Sequence, residues 1–339
     1  MYLEHFELKE TPFSIATDPR FLYLSGKHQE ALAHLLFITT HRGGFVLLTG
    51  DVGAGKTTLC RRFLDLLPDN FETAFVFNPK MSAVDLLETI CDEFRAPRSS
   101  RRRTIKVLMD SLTHRLLEIN GKGHQALLII DEAQNLSADV LEQIRLLTNL
   151  ETTDAKLLQI ILIGQPQLRL ILAREDLAQL SQRIVARYHL APLSLSEVAT
   201  YIDHRLAIAG SQRKLFSSAA VKQVHRLTQG IPRLINVVCD RSLLGAYASE
   251  QAVVTQTIVR NSATEVFGEL NPLASKKSRW PYWMATATFA ILAVGYGWWG
   301  RSESTADTSA IGGGGRTSRQ SEFGSSTNAD ASGKSRQGK

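Results

Sequence analysis

The sequence predicts an α/β fold in which a parallel sheet is covered by helices on both faces and is followed by an all-helical unit. Short apolar runs typical of buried strands alternate with amphipathic helical stretches, and they lie at residues 45–49, 73–77, 126–130 and 158–163. Strands that alternate with helices in this way favour a parallel sheet. After Pro192 the strand signals largely stop and helical patterns remain. We therefore expect a first domain over residues 1–192 and a second, helical domain over residues 193–270.

The helices of both domains are predicted from apolar residues that recur at helical spacing. In the first domain a helical pattern runs over residues 27–40, and the apolar run after it ends in a glycine-rich loop. In the second domain helices are predicted at residues 194–208, 217–228, 232–248 and 255–266. Ser194 and Glu197 fit a capping box, and Pro232 suits a first helical turn.

Composition limits the class of protein. A net charge of +6, from 39 basic and 33 acidic residues in 339, is mild and falls short of a dedicated nucleic-acid binder. The three cysteines, Cys60, Cys91 and Cys239, lie in apolar helical patterns, which indicates reduced thiols in a protein core. The N-terminus has no basic start followed by an apolar run, so no signal peptide is expected and the front of the protein should stay in the cytoplasm.

The segment at residues 280–300 is predicted to span a membrane once. It contains no charged residue, and about 20 residues at a rise of about 1.5 Å match the hydrocarbon layer of about 30 Å. Aromatic residues that favour the headgroup layers stand at both ends: Trp280, Tyr282, Trp283, Tyr296, Trp298 and Trp299. These belts favour a span over a buried helix of a soluble protein. The basic linker at 271–279 keeps the N-terminal side cytoplasmic, and the Gly/Ser-rich tail at 301–339 is predicted to be disordered on the other side.

A phosphate-binding loop follows the first predicted strand. The P-loop pattern is satisfied by Gly50, Asp51, Val52, Gly53, Ala54, Gly55, Lys56 and Thr57, and Thr58 is added to the nucleotide-binding set. In such a loop the backbone amides cradle phosphates at the start of a helix. Lys56 is expected to contact the β- and γ-phosphates, and Thr57 is expected to ligate Mg²⁺. ATP and Mg²⁺ are therefore the predicted cofactors.

The strand at residues 126–130 ends in a pair of carboxylates, Asp131 and Glu132. Open α/β sheets place their ligands at the carboxyl ends of the strands. Asp131 is therefore expected to hold Mg²⁺, and Glu132 is expected to orient and polarise the attacking water. The alternative is a pair of loop carboxylates that cap the next helix, and the P-loop earlier in the chain disfavours it.

Several separated motifs between residue 1 and about residue 300 carry a resemblance to a known family. Besides the P-loop they are Pro12-Phe13-Ser14, Asp18-Pro19-Arg20, Phe77-Asn78-Pro79, Asp131-Glu132-Ala133-Gln134, Leu146-Leu147-Thr148-Asn149-Leu150-Glu151, Gly164-Gln165-Pro166 and Gly230-Ile231-Pro232-Arg233. Through these motifs the sequence resembles the ATPases of the general secretion pathway protein A family and their shorter relatives in mannose-sensitive pilus biogenesis. The resemblance implies an AAA+ module whose lid is the helical domain. It also implies that nucleotide lies between sheet and lid, and that oligomer formation raises activity.

The resemblance further implies roles for four polar residues. Gln165, just after the fourth strand, matches a polar sensor of the γ-phosphate, and Arg233 matches the sensor arginine of the lid, which contacts phosphate in the same subunit. Arg183 and Arg187 flank the strand that leads to the lid. One of the two is expected to act as the arginine finger on a neighbour's ATP, and Arg183 is preferred. Each of these residues has a simpler alternative as an ordinary polar or charged surface residue.

Two further features stay open. His28, placed before the first helix, either lines the adenine pocket together with Tyr23 or serves as a capping or packing residue. The basic loop from Arg95 to Arg103 is either a solvated linker or a surface for anionic lipid, an acidic partner or nucleic acid.

The expected protein is an AAA+ ATPase of the bacterial inner membrane, with its ATPase in the cytoplasm and a short tail in the periplasm. By resemblance, ATP hydrolysis drives assembly of an envelope complex, such as the secretin of a type II secretion or MSHA-type pilus system. The expected partners are further copies of the chain together with inner-membrane and secretin components. Peptidoglycan binding is not expected, because the segment after Gly300 lacks the apolar content of the domain that larger relatives carry.

Two alternatives come from other functional classes. A DNA-associated ATPase resembling transposition helper proteins would share the same module, but the predicted membrane span disfavours nucleic acid as a partner. A nucleotide-gated scaffold with negligible turnover is disfavoured by Glu132 and by the two candidates for the arginine finger.

Overall fold

The computed structural model describes residues 2–16, 18–40, 44–77, 80–97, 104–153 and 156–268. The predicted linker, membrane span and tail, residues 271–339, lie outside this part of the chain, as do residues 98–103 of the basic loop. Within the described part, no helix is both long enough and apolar enough to cross a membrane.

Five strands form one parallel sheet. They are β1 Gly44–Gly50, β2 Phe71–Val76, β3 Gln125–Ile130, β4 Leu158–Gly164 and β5 Ile184–Leu190, and their order in the sheet is β2-β3-β4-β1-β5. Each ladder between neighbouring strands is parallel. The predicted α/β fold with a parallel sheet is therefore confirmed, and the four predicted strands agree with the observed ones within two residues at each end.

Helices connect the strands in the first part of the chain. Those described are α1 Tyr2–His5, α2 Gly26–Thr40, α3 Lys56–Asp65, α4 Ala83–Glu93, α5 Ile105–Gly121, α6 Ala138–Leu147, α7 Gln167–Leu172 and α8 Ala178–Gln182. Short 3-10 turns lie at Pro19–Phe21, Ala133–Asn135 and Glu175–Leu177. The phosphate-binding loop is thus the connection from β1 to α3.

The chain after β5 is helical. It forms α9 Leu195–Ile208, α10 Ser218–Thr228, α11 Pro232–Ala248 and α12 Gln256–Phe267. The predicted capping box is present, because the Ser194 hydroxyl accepts from the Glu197 amide and the Glu197 carboxylate accepts from the Ser194 amide. Pro232 is the first residue of α11, as predicted. The cysteines predicted as core thiols are buried and unpaired: Cys60, Cys91 and Cys239.

Two apolar layers cover the sheet. Successive side chains of a strand point to opposite faces, so Val46 and Leu48 of β1 face the layer of α2 and α3, while Phe45 and Leu47 face the layer of α4, α5 and α6. A strand that is buried on both faces has a continuous run of apolar residues in its sequence, rather than alternating apolar and polar residues. This double burial explains why β1, β3 and β4 were recognisable from sequence.

A third apolar core lies in the helical part and includes the N-terminal segment. Four N-terminal side chains cluster with those of α9 to α12: Phe6, Leu8, Phe13 and Phe21. The Phe13 ring packs edge to face against Phe216, with 5.9 Å between the ring centroids. The sequence-based division near residue 192 grouped this segment with the sheet, whereas its side chains pack with the helices. The domain limits themselves stay a prediction.

Candidate nucleotide-binding site

The carboxyl ends of three neighbouring strands bring the predicted site residues together. The P-loop follows β1, the pair Asp131 and Glu132 follows β3, and Gln165 follows β4. Because β3, β4 and β1 are adjacent in the sheet and all parallel, these ends meet at one edge. Groups that are far apart in sequence therefore surround a single location, as expected for ligand sites of open α/β sheets.

The P-loop backbone is bent by two glycines. Gly53 and Gly55 have φ values of +80° and +100°, a region that favours glycine, and Gly55 caps the start of α3. Lys56 is 5% exposed, and its ammonium donates to the carbonyls of Gly50 at 2.9 Å and Asp51 at 3.0 Å. Burial lowers the pKa of Lys56, and the nearby charges of Glu132 and Asp131 oppose that shift. The loop thus wraps around a cation.

Thr57 and Asp131 join the P-loop to the end of β3. The Thr57 hydroxyl donates to Oδ2 of Asp131 at 2.9 Å, and Oδ1 of Asp131 accepts from the Glu132 amide at 2.8 Å. Both side chains offer the hard oxygen ligands that Mg²⁺ prefers, and this ion usually takes only one or two from the protein. The residues present therefore fit the predicted metal ligands.

Glu132 stands in a network of two glutamines. Its backbone is left-handed, with φ 54° and ψ 36°, which is uncommon for a residue other than glycine. Oε2 of its carboxylate accepts from the side-chain amides of Gln134 and of Gln165, the latter at 3.3 Å. Oε1 of Gln134 accepts from the backbone amide of Gln165 at 3.0 Å. Gln134 therefore ties the end of β3 to the end of β4.

Sequence reasoning assigned no role to Gln134, although the residue belongs to one of the quoted motifs. A side chain added at Gly164 would lie 2.8 Å from Oε1 of Gln134, so this glycine leaves the space that the glutamine occupies. The signal in the sequence was the pair Gly164-Gln165 at the end of the neighbouring strand. It has meaning only once the two strand ends are known to be adjacent.

A cleft of about 440 Å³ opens beside the P-loop. Its walls include members of the predicted nucleotide and catalytic sets: Val52, Gly53, Gly55, Lys56, Thr57, Thr58, Glu132 and Arg233. The helical part of the chain from α9 to α12, which we call the lid, contacts the loop, because the Arg233 amide at the start of α11 donates to the Gly53 carbonyl at 3.2 Å. Arg233 therefore lines the cleft at the start of α11, and its role as a phosphate sensor stays a prediction. Ligand pockets commonly have volumes of this order.

His28 contacts the P-loop through the carbonyl of Ala54. It lies within the first turn of α2, inside the helical pattern predicted over residues 27–40 and not before the first helix. Its Nδ1 is 2.8 Å from the Ser25 hydroxyl and its Nε2 is 3.3 Å from the Ala54 carbonyl. Burial lowers the pKa of His28, and one neutral tautomer satisfies both contacts, with Nε2 donating and Nδ1 accepting. The ring lines the cleft together with Tyr23, while both of its nitrogens bond to protein atoms.

The two candidates for the arginine finger lie away from the cleft lining. Arg183 ends α8, and its guanidinium donates to the Arg145 carbonyl at 3.2 Å and to the Thr148 hydroxyl. Arg187 lies inside β5 rather than beside it, so the two arginines do not flank that strand. Its guanidinium donates to the carbonyl and hydroxyl of Ser181 at 2.6 and 2.7 Å. A role for either on a neighbouring copy stays a prediction.

Comparison with known proteins gives a matching sequence family and a curated relative. Residues 39–172 match the family described as AAA domain. The chain is 45% identical over 300 residues to General secretion pathway protein A of Aeromonas hydrophila, a match that covers 88% of this chain and 54% of that protein. The chain thus spans about half the length of this curated relative.

Solved structures with the same fold include a Cdc6p and an ORC2 protein. Cdc6p of Pyrobaculum aerophilum superposes with a TM-score of 0.58 at 18% identity, covering 74% of this chain and 71% of that one. The ORC2 protein of Aeropyrum pernix, in its ADPNP-ADP complexes, gives 0.55 at 19% identity, covering 76% and 72%. At this identity the likeness shows a shared fold and nothing further about function.

Proposed function

We propose that this chain, a homologue of general secretion pathway protein A with an AAA domain, hydrolyses Mg·ATP to drive assembly of an envelope complex for secretion or pilus formation. One observation carries the chemical part of this proposal. Lys56, Thr57, Asp131 and Glu132 gather at one edge of the sheet, and hydrogen bonds link Thr57 to Asp131 and Asp131 to Glu132.

ATP binding begins with its phosphates in the P-loop. Lys56 and the backbone amides at the start of α3 neutralise and orient the β- and γ-phosphates. The Thr57 hydroxyl and the Asp131 carboxylate would hold Mg²⁺, which when bound spreads the negative charge of the phosphates. The nucleoside then extends along the cleft between the P-loop and the lid.

Hydrolysis requires a water molecule aimed at the γ-phosphorus. Glu132 supplies the carboxylate that orients this water and accepts its proton. As the water oxygen bonds to the γ-phosphorus, the bond from that phosphorus to the bridging oxygen breaks, and ADP and phosphate leave. Gln134 and Gln165 both bond to Oε2 of Glu132, which directs Oε1 to the water. A carboxylate held by two amides has little freedom to turn away, and such positioning supports general base catalysis.

Arginines complete the proposed site from two sides. Arg233 lines the cleft from the lid and contacts the phosphates of the same subunit. Arg183 is the preferred finger for a neighbour's ATP, where its charge would stabilise the transition state. To reach a neighbour it must release the Thr148 hydroxyl that it contacts within its own chain. Oligomer formation therefore belongs to the proposal.

The cellular part of the proposal places the ATPase at the inner membrane of a bacterium. It is supported by the similarity to General secretion pathway protein A and by the uncharged run between Trp280 and Gly300. Lys276, Lys277 and Arg279 precede this run, and such clustered positive charge favours the cytoplasmic side. The proposed partners are further copies of the chain and the inner-membrane and secretin components of a type II secretion or MSHA-type pilus system.

The test compares two full-length variants isolated from solubilised membranes. Glu132→Gln should hold ATP without hydrolysing it, whereas Lys56→Ala should remain without nucleotide. Mass spectrometry of the co-purifying proteins should identify inner-membrane secretion or pilus components with Glu132→Gln and not with Lys56→Ala. Recovery of DNA together with transposition or partition proteins would overturn the assembly role and leave the ATPase chemistry intact.

A further inference from the structure

Arg205, on lid helix α9, is a buried cation in the wall of the nucleotide cleft. The residue is 5% exposed, and its guanidinium lies 4.8 Å from the centre of the Phe21 ring. Burying a charge is costly unless an opposite charge compensates it. In the described ranges no carboxylate forms an ion pair with Arg205. Hydrogen bonds from Arg20 are the main cause of the lowered pKa of Asp18, to which the charge of Arg205 contributes only a small part.

The guanidinium instead donates to three uncharged oxygens. Nε donates to the Pro12 carbonyl at 2.5 Å, one terminal nitrogen donates to the Ser14 carbonyl at 3.1 Å, and the other donates to the Tyr201 hydroxyl at 2.9 Å. A planar fork of donors can meet three acceptors in fixed directions, which a lysine ammonium on a flexible stem cannot reproduce. The arrangement therefore depends on arginine and not merely on a positive charge.

Pro12 and Ser14 belong to a short segment, residues 12–16, that we call the strap. Phe13 between them is buried in the lid core against Phe216. Ser14, Ile15 and Ala16 line the cleft, and Ile15 is 65% exposed there. Arg205 and Phe13 thus fasten the strap to the lid, and the strap turns an apolar side chain and its backbone toward the cleft.

We propose that Arg205 is a positioning residue that holds the strap in place to contact the nucleoside part of bound ATP. The P-loop takes the phosphates, and the strap lines the same cleft with groups that suit a base or ribose rather than a phosphate. This inference rests on the proposed binding of ATP in that cleft. It gives the Pro-Phe-Ser motif and Arg205 one shared role. Through them the lid and the N-terminal segment contact the nucleoside together.

The test measures binding to the full-length protein of two ligands, ATP and inorganic tripolyphosphate, which has the phosphates without the nucleoside. Arg205→Lys should raise the Kd for ATP by about tenfold or more, and leave the Kd for tripolyphosphate within about twofold. In steady-state assays its KM should rise by a similar factor while kcat at saturating ATP stays within about twofold. Arg241→Lys, at a half-exposed arginine of α11 that pairs with Glu265 at 2.9 Å, is the matched control.

A second variant keeps the test decisive if Arg205→Lys does not fold. Ile15→Ser changes an exposed side chain of the strap and should produce the same selective loss of ATP affinity. Wild-type affinity for ATP in both variants would overturn the inference. Equal loss of ATP and tripolyphosphate in Arg205→Lys would also overturn it, since Arg205 would then support the phosphate site. If the wild-type protein bound neither ligand, the proposed function itself would fail.

Discussion

The backbone amide of Arg233 donates a hydrogen bond to the carbonyl of Gly53, so the first turn of lid helix α11 rests directly on the P-loop. The contact is close enough that a side chain at Gly53 would have its Cβ 2.5 Å from Cβ of Arg233. The position of the lid and the shape of the phosphate loop are therefore coupled through two residues. Any change that lifts α11 also removes Arg233 from the cleft.

Gly53→Ala should separate the lid from the loop. The substitution places a Cβ in occupied space and forces alanine into a backbone with φ +80°, and overpacking of this kind typically costs about 1–3 kcal/mol. We expect a lower Tm and an ATP Kd raised at least about tenfold. Gly26→Ala is the control, because nothing lies within 4 Å of a Cβ added there. Equal behaviour of the two variants would mean that the lid contact has no part in nucleotide binding.

Gln134→Ala should slow the chemical step and leave ATP binding nearly unchanged. The alanine removes the amide that donates to Glu132 and the carbonyl that accepts from the Gln165 backbone, so the carboxylate loses its orientation. Mispositioning of a catalytic group commonly costs on the order of 10²-fold in rate, and we expect kcat to fall by about that factor with KM within about twofold. Gln212→Ala, at an exposed glutamine of the lid, is the control. A large rise in KM with unchanged kcat would contradict the positioning role.

Lys56→Ala and Glu132→Gln should separate binding from hydrolysis. Lys56 supplies the cation inside the loop, so its removal should abolish most ATP affinity. Glu132→Gln keeps the size of the side chain but cannot accept a proton, and general base catalysis contributes about 10²–10⁴-fold. Fluorescent ATP binding and single-turnover hydrolysis measure the two steps separately. Near-normal turnover in Glu132→Gln would assign the water to another group.

The sequence predicts the parts of this arrangement that depend on residues close together in the chain. Strands β1, β3 and β4 are apolar along most of their length because both faces are covered, and they were found within two residues of their ends. Strand β5 alternates between part-buried and exposed residues and contains Arg187 and His189. The apolar pattern of β5 is therefore weaker. For this reason the prediction put Arg187 beside the strand, although the residue lies inside it.

The missed parts of the site are contacts between distant segments. The P-loop motif and the carboxylates after β3 are local patterns that follow from a strand and the turn after it. Arg205 binds Pro12 of the strap across 193 positions of the sequence, and Gln134 reaches the end of another strand. No periodicity or motif encodes such pairs, because the partner of a side chain is known only when the topology brings the segments together.

His28 should make stability dependent on pH. Burial lowers its pKa in the folded protein, against smaller opposing effects of the Ala54 carbonyl and the charge of Glu197, while the unfolded chain has the ordinary value of about 6.5. The unfolded state therefore binds more protons between the two pKa values. The contribution of His28 is complete above about pH 6.5 and is lost as the pH falls through its lower folded pKa.

The measurement is the Tm of wild-type protein and of His28→Gln between about pH 7.5 and pH 5.5, a range around the ordinary histidine pKa. Glutamine does not titrate, so the fall in Tm on acidification should be smaller in His28→Gln than in wild type. His225→Gln, at a part-buried histidine of α10, is the control and should keep the wild-type slope. Identical slopes in all three proteins would exclude His28 as a source of the acid sensitivity.

Arg183 should act on the ATP of a neighbouring copy, and a mixing experiment tests this directly. Arg183→Ala and Lys56→Ala should each have little ATPase activity alone, because the first lacks the finger and the second lacks the phosphate site. In a mixture, Arg183 of a Lys56→Ala copy can complete the intact P-loop of an Arg183→Ala neighbour, so activity should return in part. Loss of an arginine finger costs about 10³–10⁵-fold in kcat, so even a small fraction of mixed interfaces gives a clear signal.

The same mixture made with Arg187→Ala distinguishes the two candidates. Arg187 bonds to Ser181 within its own chain, and its loss should leave wild-type-like turnover if Arg183 is the finger. Rescue of Arg187→Ala by Lys56→Ala, with no rescue of Arg183→Ala, would reassign the finger to Arg187. Absence of rescue in both mixtures would indicate that hydrolysis is completed within one copy. The contacts of Arg183 with Arg145 and Thr148 would then have a structural role in holding the end of α6 against the end of α8.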